Sequence, residues 1–567
     1  MNKKSILGIV ISSISYLLFL FIIYYFCLPF INFTHVGFYV YLCLIACYLL
    51  PLVLVFRSKK LTAKNKDKKY KQLCYDKMRE KFYFKEVTSK HHYKPLNQIF
   101  KGITISICGL LVLLAVFGII GSKMFNAKAY YNQLEVIEAP EEELLETFDF
   151  ADGEVLLPII DKDLAYKLAQ ASLGDHGAQY TIDYDNFTLI NVTRNGVNEL
   201  VRIAPLEYSN IFVSLSKHNE GSVGYIEVNV VTKETKLVKT DGGMKYMPTG
   251  VFGKDLNRHV RFNHPTSIYT ETNFEIDDEG NPYWIIPTEI REIGVISGPT
   301  SNGVIVVNPI TGETKKYNRG EEPAWIDRTV NEVVVDAQAT NSFRYKHGFM
   351  NVHFGSKKEV FQLSDGYNYF IKGGNTYYVS CITSPNEGDQ TSIGFVTINL
   401  KTREATKYMV SGITEMRARE IAMNDARVKA QALDATWPLL INYQGVETYF
   451  VVLKNEVQEQ KIVFINVYNG ELIAMGNSLQ EAKTEYDKLL ADSGNIETED
   501  IIKSGKVTNI RDLGTSIEFM ISGIKDKYFV VSPNVSLDAR FIKVGDEVVV
   551  NCKDYETYYY VTNLYKK

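Results

Sequence analysis

The stretch GYIEVNVVTKE, Gly224–Glu234, is written three more times in this chain with small changes. The other copies are GVIVVNPITGE at Gly303–Glu313, GFVTINLKTRE at Gly394–Glu404 and KIVFINVYNGE at Lys461–Glu471. In each copy, alternating apolar residues run into an Asn, which is followed by turn-forming residues and a Glu. Alternation that ends in turn residues predicts a strand, a tight turn and a second strand. The chain is therefore expected to repeat one β-hairpin.

Two polar positions recur in all copies. An Asn ends the first strand, where its side chain can bond the turn backbone, and a Glu follows. These repeat-motif residues are Asn229, Glu234, Asn308, Glu313, Asn399, Glu404, Asn466 and Glu471. A Gly opens three copies, where the strand is expected either to bulge or to start after a loop. The copies lie 79, 91 and 67 residues apart, which exceeds a solenoid repeat. They are thus predicted to be hairpins of successive small α+β modules, with four unrelated hairpins as the alternative.

Charge divides the chain near residue 121. Residues 1–121 carry 17 Lys+Arg and 4 Asp+Glu, whereas residues 122–567 carry 45 Lys+Arg and 62 Asp+Glu. Three uncharged apolar runs lie in the basic part, at Ile6–Phe30, Val36–Phe56 and Ile103–Gly121. Each run is long enough to cross a membrane, which takes ~20 helical residues. Three transmembrane helices are therefore predicted, with three buried helices of a soluble protein as the alternative.

The segment between the second and third runs sets the expected orientation. Residues 57–101 carry 15 Lys+Arg against 4 Asp+Glu. By the positive-inside rule, this loop and the N-terminus are predicted to be cytoplasmic, and residues 122–567 extracytoplasmic, on a plasma membrane. The loop is expected to lie against anionic lipid headgroups. A nucleic-acid or protein docking site in the loop is the alternative.

Composition and patterning divide the chain into eight segments. They are two transmembrane helices (1–56), a basic cytoplasmic loop (57–101), a third transmembrane helix (102–121), a stalk (122–156), α+β modules (157–330 and 331–494), a linker (495–502) and an OB-like small β-barrel (503–567). The expected fold class is therefore α+β, with three N-terminal membrane helices, a multi-module extracytoplasmic region and a C-terminal barrel.

Local patterns place the main elements within these segments. The spacing of apolar residues and capping residues predicts helices at Asp161–Leu173, Thr414–Leu433 and Ser478–Leu490. The run IFVSLSK, Ile211–Lys217, alternates like a strand. Five short strand-like runs within residues 503–567 predict a small barrel, and their pattern resembles the OB type.

A helix followed by a hairpin reading V-N-P-x-T-G-E resembles the PepSY-type module. The likeness rests on Asp161–Leu173 and on the motifs at Asn308–Glu313 and Asn466–Glu471. PepSY-type modules are small α+β units of bacterial membrane and exported proteins, and some act as propeptide-like inhibitors or regulators of proteases. The resemblance thus implies a binding or regulatory role. The whole chain also resembles a family of bacterial membrane proteins, through the stretches NPYWIIP, EEPAWIDR and SGITEMRAREIA. This second likeness implies no particular activity.

Motifs of known chemistry do not occur in the sequence. It has no phosphate-binding loop, no nucleophile elbow and no His-Glu-x-x-His zinc motif. Of its seven cysteines, only Cys381 and Cys552 lie in the predicted ectodomain, and the sequence leaves open whether they pair. We therefore predict no catalytic, cofactor-binding or metal-binding residues, and no cofactor.

Aromatic residues provide the candidate binding surfaces. Trp284 and Trp325 lie near prolines and form either an exposed contact patch or core anchors. Tyr558, Tyr559 and Tyr560 lie in the predicted barrel. They would have to be exposed beside a basic groove if the barrel handled nucleic acid.

The expected function is that of a membrane-anchored extracytoplasmic binding, scaffold or regulatory protein of the bacterial cell envelope. Its expected partners are the plasma membrane and an envelope protein or peptide, and a homo-oligomer is left open. Catalysis is not expected. The alternative is an envelope hydrolase or metal-dependent enzyme whose site is assembled from distant residues, and nucleic-acid handling by the barrel is a weaker one.

Overall fold

The fold is mixed α+β and ends in a small closed barrel, as the sequence predicts. The computed structural model describes residues 3–45, 90–148, 158, 160–194, 197–386, 390–431, 433–455, 459–495, 500–514, 516–525, 527–555 and 558–567. Most of the predicted cytoplasmic loop, the end of the second apolar run and half of the predicted linker lie outside these residues.

Helices dominate the N-terminal part. They are α1 (Lys3–Cys27), α2 (Val36–Ile45), α3 (Lys90–Ile120) and α4 (Lys123–Tyr131). Many large apolar side chains on the first three are exposed, among them Ile14, Leu17, Leu18, Phe21, Phe26, Val36, Val40, Ile105, Leu111, Val112, Ile119 and Ile120. In the described part of the chain, no single helix has the length and hydropathy to cross a membrane by itself. Thr104–Ile120 and Lys123–Tyr131, bent by 47°, meet that requirement only as a pair.

The segment after α3 packs against the distant third module and so differs from the expected stalk. It contains β1 (Val136–Ala139) and α5 (Glu141–Thr147). β1 pairs in parallel with Ala405–Tyr408, and Leu144 and Phe148 are buried in the core there. Leu144 and Phe148 are thus covered by modules that lie far along the chain.

The first module (residues 160–244) is a helix on a five-stranded antiparallel sheet of order β2-β4-β5-β6, in which β3 also pairs with β4. Its elements are α6 (Lys162–Ser172), β2 (Tyr180–Ile182), β3 (Thr188–Arg194), β4 (Val197–Tyr208), α7 (Ile211–Lys217), β5 (Ser222–Asn229) and β6 (Thr235–Met244). A 3-10 turn covers Gly174–Ala178.

The second module (residues 245–318) has a four-stranded sheet of order β10-β9-β8-β7. Its elements are α8 (Leu256–Asn263), β7 (Asn273–Ile276), β8 (Pro282–Ile293), β9 (Ser297–Val307) and β10 (Thr314–Tyr317), with a 3-10 turn at Phe252–Lys254. One core joins its sheet to that of the first module, for example through Ile203, Phe274 and Trp284. The first two modules therefore form one packed pair.

The third module (residues 329–410) and the fourth module (residues 411–492) form a second pair around one core. The elements of the third are α9 (Glu332–Arg344), α10 (Gly348–His353), β11 (Gln362–Leu363), β12 (Asn368–Lys372), β13 (Asn375–Thr383), β14 (Thr391–Asn399) and β15 (Ala405–Tyr408). Those of the fourth are β16 (Gly412–Ile413), α11 (Glu415–Asn424), β17 (Asp434–Ala435), β18 (Leu439–Tyr443), β19 (Val446–Lys454), β20 (Glu459–Asn466), β21 (Ile473–Gly476) and α12 (Leu479–Asp492).

Each of the four repeated stretches forms the last hairpin of its module's sheet. The hairpins are β5–β6, β9–β10, β14–β15 and β20–β21. In each of the first three, the Asn side-chain oxygen accepts two backbone N–H groups of the turn, at 2.8–3.1 Å. In the fourth, Asn466 accepts one, from Asn469 at 2.7 Å. The repeated Asn residues thus shape the turns.

One backbone hydrogen bond recurs at every hairpin tip. The carbonyl of the residue after the repeated Asn accepts an N–H from the segment that leads towards the helix of the same module. The four bonds are Ile160 to Val230 (3.3 Å), Tyr246 to Pro309 (2.9 Å), Thr329 to Leu400 (3.1 Å) and Ile413 to Val467 (2.8 Å). We call it the closing bond, because it ties the end of each sheet to the beginning of its module.

The Gly that opens three copies sits where two strands approach closely. A Cβ at Gly224, Gly303 or Gly394 would lie 1.9, 2.2 and 2.2 Å, respectively, from a carbonyl oxygen of the neighbouring strand. No side chain fits at that separation, so the motif requires Gly there.

The barrel closes in the order β22-β23-β24-β26-β25. Its elements are β22 (Asp500–Asp512), β23 (Ile517–Ile521), β24 (Tyr528–Val531), α13 (Leu537–Arg540), β25 (Glu547–Asp554) and β26 (Tyr558–Lys566). It begins at Asp500, within the predicted linker, because Asp500–Ile502 pair with β25. The prediction of a small five-stranded barrel is confirmed.

Two local predictions from the sequence were wrong. Ile211–Lys217 is the helix α7 and not a strand, because the Asn210 side chain accepts N–H groups from Phe212 and Val213 and so caps a helix. The helix expected at Thr414–Leu433 ends as α11 at Asn424. The Asp425 side chain accepts the N–H of Arg427 at 2.8 Å. This local turn competes with the backbone hydrogen bonds that would continue the helix.

We predict that Gly394→Ala destabilises the protein by roughly 1–3 kcal/mol, because the new methyl group forces the neighbouring strand aside. The free energy of unfolding of the full chain, measured by denaturant titration in detergent, checks this. Gly253→Ala is the matched control, since a Cβ at Gly253 meets nothing within 4 Å. Equal stability of the two variants would contradict the prediction.

Candidate binding cleft between the first and fourth modules

A cleft of about 310 Å³ lies between α6 of the first module and the ends of β17 and β19 of the fourth. It is lined by Asp163, Leu164, Tyr166, Lys167, Asp434, Lys454 and Asn455. The two walls come from modules that are distant in sequence, so the cleft exists only when the two module pairs are assembled. Such junctions are common positions for binding sites.

Lys454 crosses from one wall of the cleft to the other. It ends the fully buried strand β19, and its ammonium group bonds Asp161 and, at 3.1 Å, Asp163. Asp161 also caps α6 by accepting the N–H of Leu164 at 3.0 Å. Burial alone would lower the pKa of Lys454, but the two carboxylates outweigh it and raise that pKa. Lys454 therefore links the two module pairs through ion pairs.

Tyr184 holds Asp163, the second carboxylate that Lys454 contacts. The Tyr184 hydroxyl donates to Asp163 at 2.5 Å, which is the main reason why the pKa of Asp163 is lowered. Burial and then this carboxylate raise the pKa of Tyr184 to about 12. The Tyr166 ring lies 5.1 Å from the Tyr184 ring, and the Lys162 ammonium lies 4.5 Å from its centre. The α6 wall is therefore pre-organised by packed aromatic rings.

Two arginines lie behind this wall. Arg202 donates to the Phe187 carbonyl at 3.3 Å, and among the described residues its buried Nε has no acceptor. Burial, followed by the charge of Arg328, lowers the pKa of Arg202 to about 10. Arg328 is itself paired with Glu332 and stacks on the Tyr369 ring at 4.6 Å. Arg202 and Arg328 thus place two buried positive charges behind the carboxylates of this wall.

The chain segment that carries Arg328 is fixed by buried carboxyl groups. Glu275 accepts the N–H groups of Asp327 and Arg328 at 2.9 and 3.2 Å, and Asp327 accepts the N–H of Asn191 at 3.2 Å. Burial raises the pKa of both carboxyl groups. These bonds hold the connection between the second and third modules and so keep Arg328 in place.

The cleft presents paired charges of both signs. Two acidic and two basic side chains line it, and Asp434 is paired with Arg419 at 2.8 Å. Among the described residues, no group of three His, Cys, Asp or Glu side chains is arranged to hold a metal ion. The volume is at the small end for ligand pockets, which span about 300–1,000 Å³. The cleft therefore suits a short peptide segment or a single charged group.

The aromatic residues that the sequence proposed as binding surfaces lie elsewhere. Trp284 is completely buried and donates to the Tyr246 carbonyl at 2.9 Å, and Trp325 is half-buried with its ring 4.9 Å from Tyr283. Tyr558, Tyr559 and Tyr560 are buried as well. Trp284 is thus a core anchor, which is the other reading that the sequence allowed, and the tyrosines do not form an exposed patch.

The remaining candidates are structural. The repeated Asn residues lie in the hairpin turns and not in the cleft. Cys381 is buried in the core of the third and fourth modules, whereas Cys552 is buried inside the barrel. The structure therefore does not join these two cysteines by a disulfide.

Sequence reasoning missed the residues of the cleft. Helical spacing identifies Asp161 only as part of a helix, and no motif contains Lys454 or Arg202. The signal that could have found the last two is a lone basic residue within an apolar strand, as in FVVLKN and ELVRIAP. Such a residue needs a buried partner or a ligand.

A scan against models of protein families finds no match for this chain, and a search of curated proteins finds none either.

We predict that Lys454→Met and Asp161→Asn are coupled by about 1 kcal/mol in a double-mutant cycle of unfolding free energies. Asn keeps the helix cap, so the cycle isolates the ion pair. The control cycle is Lys217→Met with Glu220→Gln, an exposed pair for which about 0.3 kcal/mol is expected. Coupling no larger than that of the control would show that Lys454 does not hold the module pairs together.

Proposed function

We propose that the protein is a membrane-anchored extracytoplasmic binding or regulatory protein of the bacterial cell envelope, with residues 122–567 outside. The observation that carries this proposal is the exposed apolar surface of α1, α2 and α3. Water-exposed apolar area of this extent is costly for a soluble protein, and a bilayer removes the cost.

The second module contacts both module-facing ends of the proposed membrane segment, which supports placing all modules on one side of the membrane. The link between α1 and α2 contacts it, since the Ile31 N–H donates to the Pro265 carbonyl at 2.8 Å. The end of α3 contacts it as well, because a Cβ on Gly294 would lie 2.9 Å from the Gly121 Cα. Both ends of the proposed membrane segment that face the modules thus meet the same side of one module.

Two features favour a peptide as the ligand. The helix-and-hairpin modules resemble PepSY-type units, which implies contact with proteases or peptides. The cleft between α6 and β19 offers paired charges and aromatic walls, which suit a polar chain segment. A ligand in the cleft would change the contact between the two module pairs. The protein would be regulated through this change.

The barrel is the second proposed contact unit. Its strand order, the parallel pairing of β24 with β26 and the helix α13 between β24 and β25 agree with an OB-like topology. Stacking on nucleic acid needs exposed aromatic rings, and the three tyrosines considered for that role are buried. A protein or peptide is therefore the partner that we favour for the barrel.

Protease added outside intact cells is expected to digest residues 122–567 and to spare residues 57–101, because only the modules face outward. Tags placed in both segments and followed by immunoblotting measure this. Inverted membrane vesicles are the control and should show the opposite pattern. Digestion of the 57–101 segment in intact cells would overturn the proposed topology.

Crosslinking in intact membranes with a photoreactive residue at Asn455, on the rim of the cleft, is expected to capture one dominant envelope protein or peptide. The same residue placed at Asn534, on the barrel, is the positional control. The Lys454→Met variant should reduce capture at Asn455, because it opens the cleft. Equal capture from both positions would show that the cleft is not the binding site.

A further inference from the structure

A second cavity, of about 350 Å³, lies where the second module rests on the link between α1 and α2. It is lined by Leu28, Phe30, Asn257, Arg261, Tyr269, Thr270 and Thr272. Leu28 and Phe30 directly follow α1, and the other residues belong to α8 and the loop after it. The cavity therefore lies at the boundary between the apolar helices and the modules.

Arg261 is the charged group of this cavity. Only 2% of its surface is exposed, and its guanidinium carbon lies 3.6 Å from the centre of the Phe30 ring and 4.6 Å from that of Tyr269. One terminal nitrogen donates to the Ser267 carbonyl at 2.9 Å. Among the described residues, the buried Nε has no acceptor. One edge of the guanidinium group is thus left without a hydrogen-bond acceptor.

No carboxylate of the described residues neutralises Arg261 by an ion pair. Glu289 contacts the cavity lining, since it accepts from Thr270 at 2.7 Å. Glu289 is already paired with Arg291 at 2.9 Å. Removing a cation from water without a counter-charge is costly, and the two aromatic rings offset only part of that cost. The site therefore has an unbalanced buried positive charge.

The surroundings add further positive charge. Arg258, one turn earlier in α8, stacks on the Tyr25 ring at 4.2 Å and donates to the carbonyls of Tyr25 and Phe252. In the described part of the chain, Arg258 also forms no ion pair. The Lys316 ammonium bonds the Ser267 hydroxyl at 3.2 Å. Asp255, whose side chain accepts the Arg258 N–H at 2.7 Å, offsets one of these charges, so the surroundings of the cavity keep a net positive charge.

We propose that this cavity binds a phosphate group, held by the Nε edge of Arg261, with Asn257 and Thr272 as further polar contacts. A guanidinium edge matches two phosphate oxygens, and the pair is charge-assisted. The source that the position favours is the headgroup of an anionic phospholipid. Phe26, Ile31 and Phe33 are close in sequence to the lining residues Leu28 and Phe30. Their exposed side chains offer an apolar surface to the acyl chains of the lipid. Free inorganic phosphate is the other source of the same chemistry.

The lipid source rests on the proposed membrane location, whereas binding of a phosphate group does not. The test therefore uses the purified full chain in a neutral detergent and two separate probes. One probe is short-chain phosphatidylglycerol, and the other is inorganic phosphate. Binding is measured by the shift of the thermal unfolding midpoint and by native mass spectrometry. The protease experiment tests topology independently, so a failure of either proposal can be recognised.

We expect one phosphatidylglycerol molecule per chain, and a loss of affinity of about tenfold or more in Arg261→Gln. Arg540→Gln, an exposed arginine on the barrel, is the matched control and should bind as the wild type does. Arg261→Lys keeps the charge but not the planar edge, and Thr272→Val leaves Arg261 intact. Both should bind with intermediate affinity, and they keep the test valid if Arg261→Gln does not fold.

The two probes separate the sources. Tighter binding of phosphatidylglycerol than of inorganic phosphate supports a lipid headgroup, and comparable binding of both supports a phosphate site without lipid specificity. The proposal is overturned if neither probe binds the wild-type chain. It is also overturned if binding is the same in the wild type, Arg261→Gln and Thr272→Val.

Discussion

The closing bond is the constraint on which the modular architecture depends. In each module, the carbonyl after the repeated Asn accepts an N–H from the segment entering the same module. Each bond contributes only about 1 kcal/mol, but it fixes where the helix begins relative to the last hairpin. The Asn shapes the turn that presents this carbonyl, and the Gly lets the neighbouring strand approach. The repeated stretch therefore fixes the fold of each module.

The same modules are combined into two pairs, and the contacts between the pairs create the sites. Sheet-on-sheet cores join the first module to the second and the third to the fourth. Lys454 then links the fourth module back to the first. A ligand of this cleft would depend on the arrangement of both module pairs, because each pair supplies only one of the two walls.

The hairpins, the main helices and the barrel could be predicted because they depend on residues close together in sequence. Alternation and a turn residue suffice for Gly303–Glu313, and a capping Ser suffices for α12. The same reasoning failed at Ile211–Lys217, where one Asn cap outweighs an alternating pattern. It could not find the cleft, since Asp161 and Lys454 are 293 residues apart. It could not find the phosphate-binding cavity either, because Phe30 and Arg261 meet only through tertiary structure.

The pairing of β1 with β15 has a consequence for the order of folding. Val136 leaves the ribosome early, but its partner Ala405 follows about 270 residues later. Until then β1 remains an unpaired edge strand, and Leu144 and Phe148 lack the core that buries them. If the chain is exported as it is made, the first two modules can fold while this segment is still unpaired. The third module then pairs with this segment, which brings residues 136–148 against the middle of the chain and makes late folding the step most exposed to aggregation.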